Sequence, residues 1–376
     1  MKFVVSSMEL LSRLQAISRV ISSKNTLPIL DNFLFSLSDG MLEITASDLE
    51  STLITRLPLE NTDGEGVIAL PARLMTDTLK EFPDIPLTFE INTDSLSVVI
   101  QSENGKFSVV GQSGAEFPKL PALKEDVKKQ VEIDPDVLLS GFGKSLFATA
   151  DDELRPVMNG VFMELSPDDI TFVASDAHKL VRYRRTDASA EDASSLILPK
   201  KPAALLKSIL PREENRVVME FDEKNAAFRL TSYTLVCKLV EGNYPSYNSV
   251  IPTENPYRMS IDRLAFYNTL KRVSVFSNQA SNLVKLALTG NKLEISAQDL
   301  DFSISANETL SCQYEGEHME IGFKSTFLIE ILANLTSSEV LLEMSDPTRA
   351  GILLPAETDN EYEDTLMLLM PMMINA

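Results

Sequence analysis

The sequence predicts an α+β fold made of three tandem copies of one domain, each with two helices packed on one face of a sheet. Three observations predict it: an ungapped internal repeat, the same order of helices and alternating strands in each copy, and matching Pro-rich segments at the ends of the first two copies. The chain has 376 residues, of which 44% are hydrophobic and 24% charged. This composition is typical of a globular protein with two or three domains.

The repeat is found by shifting the sequence against itself. A shift of 128 residues places segment 28–48 on 156–176 without a gap, and a further shift of 123 carries most of the pattern to 282–299. Asp48, Asp176 and Asp299 recur at one position, so we interpret them as turn or capping residues. With Pro-rich boundaries near 117–121 and 244–247, the predicted domains are 1–126, 127–253 and 254–376.

Each copy has two predicted helices. Apolar residues three and four positions apart predict the first over 8–24, 134–150 and 261–277. The second begins after Pro71, Pro199 or Gly322 and is predicted over 70–82, 198–212 and 322–336. Between them, alternating residues on either side of Asp39-Gly40 predict a hairpin.

Composition excludes several classes of protein. No apolar run approaches the ~18 residues of a membrane span, and the start of the chain lacks the pattern of a signal peptide. Cys237 and Cys312 are too few for a disulfide framework or a zinc cage, so we expect a cytoplasmic protein. A net charge of −21 argues against a protein that holds nucleic acid by affinity.

The charge is unevenly distributed. The six predicted helices sum to +7, which leaves −28 on the rest of the chain. Arg73, Lys201 and Lys324 share one position in the repeat. One interpretation is an ordinary solvated helix face. The other is that the helices face a polyanion while the negative exterior repels it, which gives weak, screened contacts with DNA.

Enzymatic motifs are incomplete. The segment 141–145 resembles the end of a phosphate-binding loop, but Leu138 stands where the motif needs glycine. Ser175, Asp176 and His178 lack a nucleophile elbow, and two histidines cannot form a histidine-rich metal site. We therefore expect no catalytic residue, metal or cofactor, and keep an acidic hydrolase or other enzyme on a repeat scaffold as the alternative.

Short motifs along the whole chain resemble one family. They are Thr26-Leu27-Pro28-Ile29-Leu30, Ser47-Asp48-Leu49-Glu50, Leu70-Pro71-Ala72-Arg73, Ser175-Asp176-Ala177-His178-Lys179-Leu180, Lys238-Leu239-Val240-Glu241-Gly242, Glu320-Ile321-Gly322-Phe323 and Met370-Pro371-Met372. In order and spacing they resemble the bacterial DNA polymerase III β subunit, the replicative sliding clamp.

The resemblance implies a head-to-tail homodimer of six domains, closed into a ring whose hole is lined by twelve helices. Such a clamp encircles double-stranded DNA without sequence preference and confers processivity, while the DNA-directed DNA polymerase (transferase) activity belongs to partner subunits. The implied partners are the DNA polymerase III catalytic subunit, the clamp loader and other polymerases or repair proteins, bound through short peptides. No membrane partner is expected.

The family also implies three surfaces. Matched residue by residue, its partner-peptide groove comprises Arg155, Met158, Ser175, Ala177, His178, Lys179, Leu180, Pro245, Tyr247, Val250, Lys324, Phe327, Leu368, Leu369, Met370, Pro371 and Met372. The DNA-facing cations are Lys24, Arg73, Lys200 and Lys201, and Lys324 suits either role. The dimer interface comprises Leu74, Phe107, Val109, Val275 and Phe276.

Simpler explanations accompany these assignments. The methionines can belong to a buried last strand, and His178 can be a hydrogen-bonded histidine at a strand end. The interface residues can be part of ordinary core packing. The sequence also departs from the family. Ala177 stands where the family often has Gly, Lys179 where it often has Arg, and Leu74 where it can carry a cation.

Overall fold

The computed structural model describes residues 1–119, 121, 123–124 and 126–374. Contacts divide the chain into two compact units. Unit 1 contains residues 1–139 and 201–239, and unit 2 contains residues 140–200 and 240–376, so the middle copy contributes to both. Among the described residues, every helix is too short or too polar to span a bilayer.

The first copy begins with a strand that leads directly into a helix. The side chain of Ser6 caps this helix by accepting a hydrogen bond from the backbone N–H of Glu9 (3.1 Å). The elements are β1 (Lys2–Ser6), α1 (Ser7–Ile17), β2 (Asn32–Ser38), β3 (Met41–Ser47), β4 (Ser51–Pro58), β5 (Thr62–Asp63), β6 (Gly66–Pro71), α2 (Ala72–Lys80), β7 (Pro86–Asn92), β8 (Ser97–Gln101), β9 (Lys106–Val110) and β10 (Gln112–Ser113).

The second copy repeats this order without counterparts of the short strands β5 and β10 among its described residues. Its elements are β11 (Lys129–Ile133), α3 (Pro135–Ser145), β12 (Gly160–Leu165), β13 (Ile170–Ser175), β14 (Lys179–Arg185), β15 (Ser194–Pro199), α4 (Lys200–Ile209), β16 (Val217–Phe221), β17 (Asn225–Arg229) and β18 (Tyr233–Lys238).

The third copy again begins with a strand and a capped helix, in which Asp262 accepts from the N–H of Ala265 (2.6 Å). Its elements are β19 (Tyr257–Asp262), α5 (Arg263–Ser274), β20 (Leu283–Thr289), β21 (Lys292–Asp299), β22 (Ile304–Ser311), β23 (Gln313–Glu315), β24 (Met319–Lys324), α6 (Ser325–Asn334), β25 (Glu339–Met344), β26 (Gly351–Pro355) and β27 (Glu363–Leu369).

Each copy supplies two four-stranded sets. The first set ends on the strand that follows the repeated aspartate, which we call the turn strand (β4, β14 or β22). The second set ends on the last long strand of the copy, which we call the closing strand (β9, β18 or β27). The sheets of unit 1 run β5-β1-β7-β8-β9 and β10-β6-β2-β3-β4-β18-β17-β16-β11, and those of unit 2 run β15-β12-β13-β14-β27-β26-β25-β19-β23 and β22-β21-β20-β24.

Two joints between copies follow from this order. Turn strand β4 pairs antiparallel with closing strand β18, with Ser51 opposite Cys237. Turn strand β14 pairs in the same way with closing strand β27, with Lys179 opposite Leu369. We call these the first and second joints. Turn strand β22 and closing strand β9 end their sheets without such a neighbour among the described strands.

The predicted elements are confirmed, with corrections at their ends. All six helices form, but each is shorter than its predicted range because short 3-10 turns and capping residues occupy the ends. Gly322 lies in β24, so the second helix of the third copy begins three residues later than predicted. Asp39 and Gly40 both have positive φ (51° and 73°), which the hairpin turn requires.

Glycine at 141 is explained by packing and not by phosphate binding. The residue lies inside α3, and a Cβ atom there would approach the ring of Phe172 to 2.5 Å. The helix can therefore lie against β13 only without a side chain at this position. This confirms that the segment 141–145 is helical.

Candidate partner groove and interchain edges

The repeated aspartates make the same turn in every copy. Oδ1 of Asp48, Asp176 and Asp299 accepts hydrogen bonds from the backbone N–H groups two and three residues further on, at 2.7–3.4 Å. These bonds satisfy the backbone where the chain reverses into the turn strand. The prediction that these aspartates are turn residues is confirmed.

In the first joint, the second oxygen of the aspartate binds a lysine. Nζ of Lys201 donates a short hydrogen bond to Oδ2 of Asp48 and a second, of 2.6 Å, to the carbonyl oxygen of Val20. Lys201 thus ties the start of α4 to the turn and to the end of the first helix of unit 1. Its ammonium group is already engaged, although the sequence predicted that it faces DNA.

In the second joint, a different lysine binds the aspartate. The side chain of Lys179 is only 5% exposed, and its Nζ lies 2.8 Å from Asp176 and 3.1 Å from Glu330 on α6. Burial alone raises the pKa of Asp176, but the hydrogen bonds from Lys179 and from the backbone N–H groups hold that pKa below its usual value. The buried cation is therefore neutralised by two carboxylates.

Three side chains surround the ring of Phe327. Nζ of Lys179 lies 4.3 Å and Nζ of Lys324 4.6 Å from the ring centroid, both suitable for cation–π contact. The ring of His178 stacks on the same ring at 5.8 Å. Lys324, which the sequence left between two roles, thus borders the groove residues of unit 2.

An apolar cluster lies beside this ring. Among the predicted groove residues, Leu180, Tyr247 and Leu368 belong to it. The remaining members, which the sequence did not single out, are Val173, Ala350, Ile352 and Leu366, with Phe162, Tyr244, Ile251 and Leu354 partly buried against them. The members of this cluster are buried, so they form the apolar base of the site, and the partly buried side chains packed on them offer accessible apolar surface.

Tyr247 is fixed by a residue that the sequence did not identify. Its hydroxyl donates a short hydrogen bond to Glu164 on β12. Burial first, and then the neighbouring Glu164 carboxylate, raise the pKa of Tyr247 to about 12. The ring of Tyr244 stacks on Phe162 at a centroid distance of 4.7 Å. The segment 244–247 is therefore held flat against the sheet.

The C-terminal tail lies between the turn after Asp176 and strand β24 of the third copy. The N–H of Met370 donates to the carbonyl oxygen of His178 (2.9 Å), and the N–H of Met372 to that of Gly322 (2.8 Å). The side chain of Met370 remains 42% exposed beside the apolar cluster. Flexible thioether groups of this kind adapt to several ligands.

The predicted groove residues fall into two groups. The buried residues, which shape the site and offer little surface, are Ser175, Lys179, Leu180, Tyr247, Leu368 and Leu369. Ser175 donates to the carbonyl oxygen of Lys179 (2.8 Å) and Asp176 bonds backbone N–H groups, so no hydrolase triad is formed. The exposed or half-buried remainder comprises Arg155, Ala177, His178, Pro245, Val250, Lys324, Phe327, Met370, Pro371 and Met372, while Met158 is largely buried.

The other predicted DNA-facing cations differ in their surroundings. Lys24 is exposed, and Nζ of Lys200 pairs with Asp151 at 2.7 Å. The side chain of Arg73 is 96% exposed and lies 3.6 Å from Asp77 on its own helix, beyond a good hydrogen bond. Arg73 is thus the least engaged of the three cations aligned by the repeat.

The predicted interface residues lie at the surface of their units. Leu74, Phe107 and Phe276 are exposed, and Val275 is more so. Phe107 is only partly covered by an edge-on contact with Phe82 (5.2 Å), so simple core packing does not account for these four residues, whereas Val109 is half-buried. Exposed apolar residues that the sequence analysis missed lie on the same edges: Val110, Leu300, Phe302 and Ile304.

The described residues contain no group of three or more His, Cys, Asp or Glu side chains able to hold a metal ion. The arrangement offers an apolar surface, a cationic rim and two open sheet edges. These features suit the binding of peptides and other chains.

Comparison with known proteins defines the class. Consecutive parts of the chain match the N-terminal, central and C-terminal domains of the DNA polymerase III beta subunit, over residues 1–121, 132–246 and 248–372. Together with the threefold fold, these matches define a sliding clamp, a processivity factor that is not itself a catalytic enzyme. The chain belongs to the DNA polymerase III beta subunit family.

Relatives and solved structures agree along the full length. The beta sliding clamp of Pseudomonas putida is 28% identical over 373 residues, which cover 99% of this chain and 100% of that protein. That of Bacillus subtilis is 25% identical over 381 residues, with 99% of each covered. The crystal structure of the DNA polymerase III subunit beta from Pseudomonas aeruginosa superimposes with a TM-score of 0.92 at 25% identity and covers 100% of both chains.

Proposed function

We propose that this protein closes head to tail with a second copy into a ring that encircles duplex DNA and tethers partner proteins through the groove of unit 2. One observation carries the proposal. The chain joins its copies twice by pairing a turn strand with a closing strand, and it leaves one turn strand and one closing strand unpaired among the described strands. A heterologous contact that repeats the internal joint uses both edges.

The internal joints fix the register of this third joint. Phe302 has the same position after its aspartate as Ser51 and Lys179. Val109 alternates with the exposed Val110 on β9, as Cys237 does with the exposed Lys238 on β18. Because Ser51 lies opposite Cys237 and Lys179 opposite Leu369, Phe302 of one chain is expected opposite Val109 of the next. Ile304 then lies opposite Phe107.

The proposed edges carry the apolar side chains that association needs. Phe302 is 75% exposed in the single chain, and Val110 and Val275 are exposed to a similar degree. Large apolar side chains clustered at open sheet edges favour burial in an interface. Val275 and Phe276 follow α5, so the interface proposed from the sequence adjoins the open turn strand. The number of two chains per ring rests on the family resemblance.

We propose that the helices line the hole and that Lys24, Arg73, Lys200 and Lys201 contact the phosphate backbone without reading sequence. Lys200 and Lys201 already bind carboxylates, so their contribution to DNA affinity is small. Weak contacts suit a ring that slides, because retention then comes from topology. We further propose domain boundaries at 1–126, 127–253 and 254–376, and a cytoplasmic location with the DNA.

The groove is proposed to bind a short peptide. Apolar side chains of the peptide are expected against the cluster of Leu180, Tyr247 and Leu368, while His178 and Lys324 border its backbone. The proposed partners are the DNA polymerase III catalytic subunit, the clamp loader and other polymerases or repair proteins. A surface with methionine on one wall accommodates several related peptides.

Retention on DNA tests the proposal. The protein is loaded on a closed circular plasmid, and its loss is followed before and after a restriction enzyme cuts the circle. We expect the half-life on the circle to be at least about tenfold longer, because only free ends release a ring. Equal loss from circular and cut DNA would contradict encirclement, and a mass of one chain by light scattering would contradict the ring.

A further inference from the structure

The buried aspartate of the third copy differs from its two counterparts. In the first joint Oδ2 of Asp48 binds Lys201, and in the second Oδ2 of Asp176 binds Lys179. Oδ2 of Asp299 accepts only a long hydrogen bond from the amide of Asn278 (3.3 Å) and has no Lys or Arg partner among the described residues. Yet Asp299 is only 3% exposed. A buried carboxylate without a cation is costly, so this site lacks a partner that the other two have.

The repeat identifies the missing partner. Arg73 occupies the position of Lys201 at the start of the second helix of its copy. Val20, whose carbonyl oxygen also accepts from Lys201, lies fourteen positions after the helix cap Ser6. Phe276 lies fourteen positions after the equivalent cap Asp262. The acceptors that surround Lys201 in the first joint therefore correspond to Asp299 and Phe276 in the third copy.

We propose that, in the joint between chains, the guanidinium group of Arg73 binds Oδ2 of Asp299 and the carbonyl oxygen of Phe276 of the second copy. The inference rests on the proposed ring and assigns one ion pair to each of its joints. Arg73 is accessible for this contact, because its side chain is 96% exposed in the single chain and its ion pair with Asp77 is long (3.6 Å). Its forked donors suit a carboxylate and a carbonyl oxygen together.

This assignment replaces the DNA contact proposed above for Arg73 with an ion pair in the joint between chains. Within its unit, and among the residues that the structure describes, Arg73 forms only a long, exposed ion pair with Asp77 (3.6 Å), whereas Lys201 binds Asp48 and Lys324 lies on the ring of Phe327. Its neighbour Leu74 is apolar and exposed, so the edge of α2 presents one cation beside apolar surface. A cation beside apolar surface attracts an edge that carries an anion, and so favours pairing of two unlike edges over pairing of two identical ones.

A double-mutant cycle in the full-length protein tests the pair. The variants are Arg73→Gln, Asp299→Asn and their combination, and the dimer dissociation constant is measured by analytical ultracentrifugation. Asn keeps the oxygen that the turn requires. We expect each single substitution to weaken each joint about tenfold, which raises the dissociation constant of the two-joint dimer about a hundredfold. The dissociation constant of the double variant should be close to that of either single variant. Arg73→Lys should restore most of the affinity, since the first joint uses lysine.

Controls separate this inference from the ring itself. Lys80→Gln lies on the same helix and also borders Asp77, and it should leave the dimer unchanged. Additive effects of the two substitutions, or no effect of Arg73→Gln on a dimeric wild type, would overturn the ion pair while the ring stands. A monomeric wild type would overturn both. If Asp299→Asn lowers the melting temperature, the two Arg73 variants test the ion pair without it. Weaker dimerisation of Arg73→Gln together with near-normal dimerisation of Arg73→Lys supports the ion pair, and unchanged dimerisation of Arg73→Gln contradicts it.

Discussion

The first and second joints share a backbone arrangement and differ in their side chains. In both, a turn strand pairs with a closing strand in the same register, and an aspartate closes the turn. Only the second carries a candidate groove. The residue three after the aspartate is Ser51 in the first joint and Lys179 in the second. A serine leaves room for Lys201 to bind the aspartate, whereas Lys179 occupies that oxygen itself.

Substitution at equivalent positions explains the rest of the difference. Lys324, the counterpart of Lys201, lies against the ring of Phe327 and not at the aspartate. Phe327 and Glu330 correspond to Ala204 and Lys207 in the repeat. An aromatic ring, a carboxylate and a buried lysine therefore replace an alanine, a lysine and a serine. Duplication supplied a common joint, and a few side chains distinguish the joint that carries the candidate groove.

The largest expected effect concerns the joint that lies between chains. Phe276→Asp introduces a charge into a proposed apolar interface, so we expect the dimer dissociation constant to rise more than about a hundredfold and the mass to fall to one chain. Light scattering at micromolar concentration measures it. Leu154→Asp, at an apolar and more exposed position outside the proposed interface, is the control and should stay dimeric. An unchanged dimer for Phe276→Asp would remove it from the interface.

Stability distinguishes the two internal joints. Lys179→Ala removes a buried cation from two carboxylates and should lower the free energy of unfolding by about 3 kcal/mol. Lys201→Ala removes a half-exposed ion pair and should cost about 1 kcal/mol or less. Urea denaturation followed by circular dichroism measures both. Equal costs would mean that the two lysines are equivalent and that the joints have not diverged as argued.

Peptide binding distinguishes the groove from its surroundings. Met370→Ala removes a half-exposed wall of the proposed groove and should weaken a peptide from the polymerase catalytic subunit about tenfold in fluorescence polarisation. Met373→Ala, three residues further along and more exposed, should leave the affinity unchanged. His178→Ala should resemble Met370→Ala, because His178 stacks on Phe327. The groove assignment fails if all three variants bind like the wild type.

The smallest expected effect depends on pH. The pKa of Asp176 is lowered in the folded protein, so its ionised form adds stability above its unfolded pKa of about 4. That contribution is lost as the pH falls through the lowered value. The stability difference between the wild type and Asp176→Asn should therefore be constant from pH 5 to 7 and shrink below about pH 4. A difference that grows on acidification would contradict the ion pair with Lys179.

Much of the fold follows from the sequence because periodicity and repetition report the core directly. Leu10, Leu14 and Ile17 are buried on one side of the first helix, as their spacing predicts. Helix ends are predicted less well, as at Gly322, because apolar spacing continues into the adjacent strand and cap. The family and the clamp function follow from the ordered motifs and are confirmed by the full-length matches.

Side-chain partners are the part that the sequence could not supply. Glu330 and Glu164 come from elements distant in sequence and reach Lys179 and Tyr247 only after folding. Lys179 was expected at a groove, but its burial was not, since lysine is rarely buried without carboxylate partners. One signal was available and missed. The cation aligned with Lys201 recurs beside an aspartate that also recurs, which indicates a joint as readily as a DNA contact.

A covalently closed ring tests the central claim most directly. Val109→Cys with Phe302→Cys places the two thiols opposite each other across the proposed joint, at the spacing a disulfide needs. The variant is loaded on circular DNA, oxidised and denatured. We predict that the cross-linked protein stays with the circle in denaturing gels and is released by cutting the DNA or by reductant. Complete cross-linking with loss of protein from the intact circle would contradict encirclement.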